Sequence, residues 1–575
     1  MEELTELTIP GLLGRSAELY GGRKALGFYD LPALNYRELK EKVDQISAFL
    51  AERGIVHGDR VAILSENGPH WGVAFLAVTS LGAAAVPILT DFHPTEIHHV
   101  LRHSESKAIF ISEKLYGKID DAEFDDLRTR ILIDDFSEIK PNTNKAMLKR
   151  LIAEGSHELH KIKTMALKWM GRIPSPVQED DLASIIYTSG TTGHSKGVML
   201  THRNIVSDAI ATIKLVNVTC EDRFLSLLPL AHVYECTLGL ITTLMQGAAV
   251  YYVHKPPTAA VLLPALEAVK PTSILSVPLI IEKMVRGKVF PALRGKALIR
   301  LASIFPTSRK MIYHKAGAQL RAAFGGELKM FCIGGSELAP DVEDFLIEGR
   351  FPYCIGYGLT ETSPLVTGTK PFETRARSAG RALDGVEIRI ADPDPATGEG
   401  EILLRAPMVM KGYYKDPEKT AEILTDDGWL KTGDRGCLDA EGYLFIKGRS
   451  KNVIIGPSGE NIYPEIIESV INRSEAVAES LVYEQQGRLV ARIHLNYEAL
   501  DAFFAEKKWT AAQIREYIHK TLEDIKTKVN AGVSSFCRLS RVIEQTEPFE
   551  KTPTQKIKRY LYIERKIDGE GAISA

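Results

Sequence analysis

What this 575-residue chain has little of narrows its class before any motif is read. Its six cysteines (Cys220, Cys236, Cys332, Cys354, Cys437, Cys537) form no C-x-x-C pair and no zinc spacing. That excludes a disulfide framework and fits a reduced, intracellular protein. Net charge is nearly absent: 71 Lys and Arg against 74 Asp and Glu give a formal −3. No general electrostatic footprint for nucleic acid follows from such a balance. The acidic start, Met1-Glu2-Glu3-Leu4-Thr5-Glu6, lacks the basic and apolar segments of a secretory signal, so the chain is expected in the cytoplasm. Charge is missing from residues 67–90, a stretch that approaches membrane-spanning length. Pro69, Gly72, Thr79, Ser80, Gly82 and Pro87 interrupt it, and it divides into a helix over 71–81 and a buried strand over 84–89. A soluble core is the better reading.

What is present reads as globular. Hydrophobic residues make up 45% and charged residues 25%, with a length beyond one core, so two or more domains are expected. The chemistry concentrates in residues 184–201. A β-prone run, Ile185-Ile186-Tyr187, feeds Thr188, Ser189, Gly190, Thr191, Thr192 and Gly193, followed by Lys196-Gly197 and the apolar Val198-Met199-Leu200. Hydroxyls and glycine-freed backbone N–H groups can surround phosphate oxygens, and Lys196 adds a mobile positive charge. The spacing is not G-x-x-x-x-G-K-[ST], so a P-loop NTPase is not implied. An unliganded surface loop is the bland alternative. Six consecutive Ser, Thr and Gly residues with a lysine, between two apolar runs, weigh against it.

Residues 35–112 alternate helix and strand. A helix opens at Tyr36-Arg37-Glu38-Leu39 with apolar Leu39, Val43, Ile46 and Leu50, strands follow at Val61-Ala62-Ile63-Leu64 and Ala108-Ile109-Phe110-Ile111, and a helix is expected over 94–102. Near-continuous apolar strands between helices predict a parallel sheet covered on both faces. Residues 156–173 form a cationic amphipathic pattern: apolar Leu159, Ile162, Ala166, Trp169, Met170 and Ile173 beside Lys161, Lys163 and Lys168. Such a helix can lie in a membrane interface, although packing on its own domain is the better default. His232 stands in apolar company within Leu228-Pro229-Leu230-Ala231-His232-Val233-Tyr234-Glu235. Alone, it reads as a satisfied core histidine. A long apolar helix and a strand over 248–253 follow it. Buried strands are expected over 271–280 and 328–336, the second ending in Gly334-Gly335-Ser336, a candidate pocket wall at the carboxyl end of a parallel strand.

Cys354-Ile355-Gly356-Tyr357-Gly358-Leu359-Thr360-Glu361 supplies a stacking ring, space between glycines and a carboxylate suited to Mg²⁺. A Gly-bracketed turn with a surface Glu is the bland alternative. Beyond 385, short alternating strands predict a β-rich subdomain. Within it, Asp434 after Gly433 suits ribose hydroxyls. Past a Gly/Pro-rich turn near 450 an α+β unit is expected, with helices over 464–472 and 511–528 and strands over 478–483 and 489–496. The predicted division is 1–449 and 450–575.

In this order the segments resemble the adenylate-forming superfamily of acyl- and aryl-CoA synthetases, luciferases and peptide-synthetase adenylation domains. The resemblance runs from Tyr36 to Arg559 and rests on five or more ordered motifs. It implies an α/β fold: a large N-terminal domain of parallel-sheet subdomains with a β-rich subdomain, then a small mobile α+β C-terminal domain. It also implies that Thr188 to Lys196 form the phosphate loop, and that Gly334, Gly335 and Ser336 wall the adenine and acyl pocket. By the same resemblance Tyr357, beside Gly358, packs on adenine, Thr360 approaches the α-phosphate and Glu361 holds Mg²⁺. Asp434 and Arg449 match ribose contacts, Lys451 the hinge, and Lys556 the lysine that stabilises adenylation.

Leu228 to Glu235, with His232 at the acyl pocket, and Asp427 to Gly436 are similar to long-chain fatty acid:CoA ligases in particular. The implied reaction uses ATP, Mg²⁺, a fatty acid and coenzyme A. Transfer to a carrier-protein phosphopantetheine, or use of an aryl acid, is the alternative. Three segments depart from the family pattern: Thr554-Gln555 replaces Ser-Gly before Lys556, residues 454–459 lack the usual lysines, and Lys431 replaces a histidine.

Overall fold

The computed structural model describes residues 6–119, 122–140, 143–153, 176–188, 195–294, 305–455, 461–474, 476–507, 509–551 and 557–563. Contacts gather the chain into two compact units. The first is Met1–Ala391, Ile402–Thr432 and Leu438–Phe445; the second is Asp392–Glu401, Gly433–Cys437 and Ile446–Ala575. The expected α/β class holds.

Two large sheets organise the first unit. An eight-stranded sheet among the described residues runs in the order Gly412–Tyr413, Lys196–Thr201, Leu182–Thr188, Ala84–Pro87, Arg60–Leu64, Ala108–Ile111, Thr129–Leu132, Ser137–Ile139. Its central pairs are parallel and its outer pairs antiparallel. A nine-stranded sheet among the described residues runs in the order Arg381–Ala382, Leu365–Gly368, Tyr353–Gly358, Met330–Ile333, Ser273–Ser276, Arg223–Leu225, Ala249–Tyr252, Lys24–Phe28, Leu34–Asn35. Its middle is parallel as well.

Local signals explain the elements. The helix Tyr36–Glu52 starts at an Asn35/Glu38 capping box and buries Leu39, Val43, Ile46 and Leu50. The uncharged run resolves into the helix Pro69–Ser80 and the strand Ala84–Pro87. Trp71, Val73, Phe75, Leu76 and Val78 are all buried, so this helix is apolar all round because it lies inside the unit. Each such side chain contributes about 1.5–3 kcal/mol on burial. No helix among the described residues is long and apolar enough to cross a membrane. Residues 156–173, with their cationic pattern, lie outside the described residues.

Two expectations need correction. The strand predicted over 271–280 is Ser273–Ser276, and Pro278 opens the helix Pro278–Met284. Proline suits a first helical turn, where its missing N–H costs nothing. The long apolar helix expected after Glu235 begins as a π-helix, Tyr234–Ile241, before the short α-helix Thr242–Met245.

A four-stranded sheet among the described residues has the order Glu387–Ala391, Gly400–Arg405, Leu430–Leu438, Leu444–Arg449. In the second unit, Val477–Gln485 and Arg488–Leu495 form an antiparallel hairpin, and Arg541–Glu544 pairs parallel to the latter. Gln486 (φ 53°) and Gly487 (φ 74°) turn the hairpin with positive φ at both central residues, as a two-residue loop requires. The helices Pro464–Ile471 and Ala511–Gly532 cover the sheet with Ile467, Ile471, Leu522, Ile525 and Val529.

Candidate active site

The first cluster of chemistry grows from a hairpin. Leu182–Thr188 and Lys196–Thr201 pair antiparallel, with Thr188 directly opposite Lys196. The turn is therefore closed by a hydroxyl and an ammonium. Ser189, Gly190, Thr191, Thr192 and Gly193, expected to cradle phosphate, lie outside the described residues. The stem is fixed by burial: Tyr187 is 3% exposed, and its hydroxyl lies 2.8 Å from His103 Nδ1.

Glu361 approaches this hairpin from the other sheet. The strand Tyr353–Gly358 ends in a single turn, Thr360–Thr362. Thr362 Oγ1 donates to Pro364 O at 2.6 Å and accepts Leu359 N at 2.9 Å, which fixes the turn and leaves Thr360 and Glu361 half-buried. Gly358 is required for close approach, since a Cβ there would sit 1.6 Å from Pro364 O.

Residues 410–414 bind both parts. Met410 N donates to Glu361 O at 2.8 Å, and Tyr413 Oη donates to Glu361 Oε1 at 2.8 Å. Gly412 and Tyr413 pair with Met199 and Val198, and Tyr414 N donates to Gly197 O at 2.8 Å. Lys196 Nζ stands 4.9 Å from the centroid of the Tyr413 ring. A carboxylate and an ammonium are thus held against one aromatic residue. Sequence reasoning missed Tyr413, because nothing local marks it.

Glu361 suits a hard divalent cation: it is an oxygen donor, and one of its two oxygens is already oriented by a phenol. Among the described residues no cluster of three or more His, Cys, Asp or Glu could hold a metal ion. A cation here would share Glu361 with a ligand's phosphate oxygens, the usual arrangement for Mg²⁺.

Parallel strands Ser273–Ser276, Met330–Ile333 and Tyr353–Gly358 lie side by side, so their carboxyl ends face one edge. Gly334, Gly335 and Ser336 follow the middle strand there, and Tyr357 sits on its neighbour. Gly334 N donates to Ser276 O at 3.2 Å, and Gly335 turns with φ +88°. Tyr234 lies against this wall. Its hydroxyl donates to Cys332 O at 3.2 Å, and a Cβ on Gly334 would meet its ring at 3.4 Å. His232 is half-buried, and its Nδ1 accepts Tyr234 N at 3.2 Å.

Beneath that segment is a second residue without an expected role. Glu235 is 2% exposed, and burial pushes its carboxyl from 4.5 up to about 8, against hydrogen bonds from Ser226 and the Leu228 backbone. Asn67 ties the same loop, donating to Leu228 O at 2.6 Å and accepting Leu230 N at 2.8 Å. A lone acid opening an otherwise apolar run was the available signal.

In the second unit, Arg449 Nε lies 2.7 Å from Asp434 Oδ1. Asp434 is buried and Arg449 exposed. Lys451 is exposed in the turn Ser450–Asn452, and Lys556 lies outside the described residues.

The comparisons agree with this architecture. The family model described as AMP-binding enzyme matches residues 13–414. The YngI protein of Bacillus subtilis is 28% identical, over 99% of this chain and 98% of its own. Long-chain-fatty-acid–CoA ligase 1 of Cavia porcellus is 29% identical, over 92% of this chain and 80% of its own. Among solved structures, o-succinylbenzoate CoA synthetase of Bacillus subtilis in complex with its acyl-adenylate intermediate has a TM-score of 0.71 at 24% identity, over 96% of this chain and 98% of that one. That likeness concerns the fold.

Proposed function

The chain belongs to the AMP-binding enzyme family, and from that membership we propose that it is an ATP-dependent acid:coenzyme A ligase acting on medium- to long-chain fatty acids. The observation that carries the reading is the meeting of Lys196, Tyr413 and Glu361 at the mouth of the Thr188 hairpin. Two anions must be brought together in the first step, and here the first unit presents an ammonium and a carboxylate of metal-binding type against one tyrosine. The fatty acid assignment is supported by the Leu228 to Glu235 segment and by the Cavia porcellus relative.

In the proposed reaction the acid's carboxylate oxygen attacks the α-phosphorus of ATP and pyrophosphate leaves. The thiolate of coenzyme A then attacks the acyl carbonyl of the adenylate, and AMP leaves. Thr188 and Lys196 bind phosphate oxygens. Tyr357 and the Gly334–Gly335 wall take the adenine, and Asp434 and Arg449 the ribose. Bound at Glu361, Mg²⁺ would supply positive charge to the phosphoryl oxygens. Lys556 adds an ammonium at the α-phosphate, and preorganised charge of this kind is worth roughly 3–4 kcal/mol of barrier per donor. Lys451 is the proposed hinge between the two half-reactions.

The test is a substrate panel. The enzyme is incubated with ATP, Mg²⁺ and acids from acetate to oleate plus benzoate, with and without coenzyme A, and products are identified by mass. Thioesters of the longer acids are expected. Each methylene buried contributes about 0.8 kcal/mol, so kcat/KM should climb about fourfold per carbon until the pocket is filled. Adenylates that persist after coenzyme A is added would instead identify a carrier-protein acceptor, and thioesters of benzoate alone would identify an aryl acid ligase.

A further inference from the structure

Tyr413 occupies a place that neither the motifs nor the family match assigns. Its backbone is fixed from two directions. It pairs with Val198 as part of a two-residue strand, and Tyr413 N donates to Thr420 Oγ1 at 2.9 Å, on the helix Pro417–Ile423. Tyr413 as a whole is 7% exposed. Both chemical ends of that side chain are in use: the hydroxyl holds Glu361 Oε1 at 2.8 Å, and the ring face lies 4.9 Å from Lys196 Nζ.

We propose that Tyr413 is a positioning residue: its hydroxyl orients the Glu361 carboxylate for a divalent cation, and its ring orients Lys196 for phosphate. A half-buried carboxylate on a single turn still samples several rotamers, and one oxygen held by a rigid phenol selects among them. The ring quadrupole attracts an ammonium over its face, which narrows the reach of an otherwise flexible lysine. The backbone bond from Met410 N to Glu361 O fixes the same turn from the same segment, so main chain and side chain of Glu361 share one support. The inference rests on the proposed roles of Glu361 and Lys196.

The two ends of the ring make the test separable. Tyr413→Phe removes the hydroxyl and keeps the face over Lys196; Tyr413→Leu removes both. Full-length proteins are titrated with Mn²⁺ in the presence of α,β-methylene-ATP, with bound metal read by electron paramagnetic resonance. Nucleotide binding without metal is measured separately by calorimetry. Tyr413→Phe should weaken Mn²⁺ roughly ten- to hundredfold, as loss of a group supporting a metal ligand does, and leave metal-free nucleotide binding unchanged. Tyr413→Leu should weaken both. Equal Mn²⁺ binding by wild type and Tyr413→Phe would overturn the proposal. So would a Tyr413→Phe protein that fails to fold, since the hydroxyl would then support the fold rather than the carboxylate. No Mn²⁺ binding by the wild type would defeat the functional reading itself.

Discussion

Arg449 and Asp434 satisfy one another at 2.7 Å, with the carboxylate side chain 5% exposed and the guanidinium side chain 44% exposed. The acid is the fixed partner and the arginine the adjustable one. In the proposed function a ribose diol at Asp434 would meet an acceptor already oriented by a charged donor. Asp434→Asn keeps the shape and removes the charge. Hydrogen bonds to charged groups are worth about 1.5–3 kcal/mol, so KM for ATP should rise roughly ten- to hundredfold. KM for the acid should stay within about twofold, and steady-state kinetics with each substrate varied will check the pair.

Lys556→Ala should separate the half-reactions. Adenylation, followed by pyrophosphate exchange, should fall by roughly 100- to 1000-fold, as removal of one preorganised donor does. Thioester formation from supplied acyl-adenylate should persist. Full adenylation by the variant would remove Lys556 from the mechanism.

Gly358→Ala addresses a glycine expected to sit beside the nucleotide. The added Cβ would lie 1.6 Å from Pro364 O, a backbone atom that cannot swing aside. Overpacking of this kind costs about 3 kcal/mol. Calorimetry should show a thermal midpoint lowered by several degrees, in the absence of any nucleotide.

Glu235 should give stability a pH dependence of definite sign. Burial raises its carboxyl from 4.5 to about 8. Between those values the unfolded chain ionises while the folded chain keeps its proton. The contribution is therefore fully present below about pH 4.5 and lost as pH rises through about 8. Glu235→Gln removes this titration. Denaturant midpoints should show wild type losing ground to the variant from pH 5 to pH 8; parallel curves would contradict the assignment.

Much of this arrangement is legible in the sequence, and the reasons are local. Tyr36-Arg37-Glu38-Leu39 announces a helix start, and the apolar run around Trp71 carries its own proline and glycine breaks. Thr188 and Lys196 flank a Ser/Thr/Gly loop between two apolar runs, and the structure pairs those runs antiparallel. What could not be read depends on distant partners. Tyr413 meets Glu361 across 52 positions and has no periodic or turn signal of its own. Glu235 carried one local signal, a lone acid opening an apolar run, but its raised carboxyl depends on the distant residues that bury it. The π-helix Tyr234–Ile241 is short enough that its apolar residues fit an α-helical period equally well.

The strand Gly412–Tyr413 completes the eight-stranded sheet at the edge beside Lys196–Thr201, and Arg381–Ala382 completes the nine-stranded sheet that begins with Lys24–Phe28. Neither sheet belongs to one stretch of chain. During synthesis the Thr188 hairpin emerges from the ribosome long before its support, and its edge stays unpaired until residue 413 is released. Premature termination before that point yields a product with an open strand edge and no fixed Glu361. The pairing of that hairpin edge and the orientation of the Glu361 carboxylate thus depend on the same distant strand.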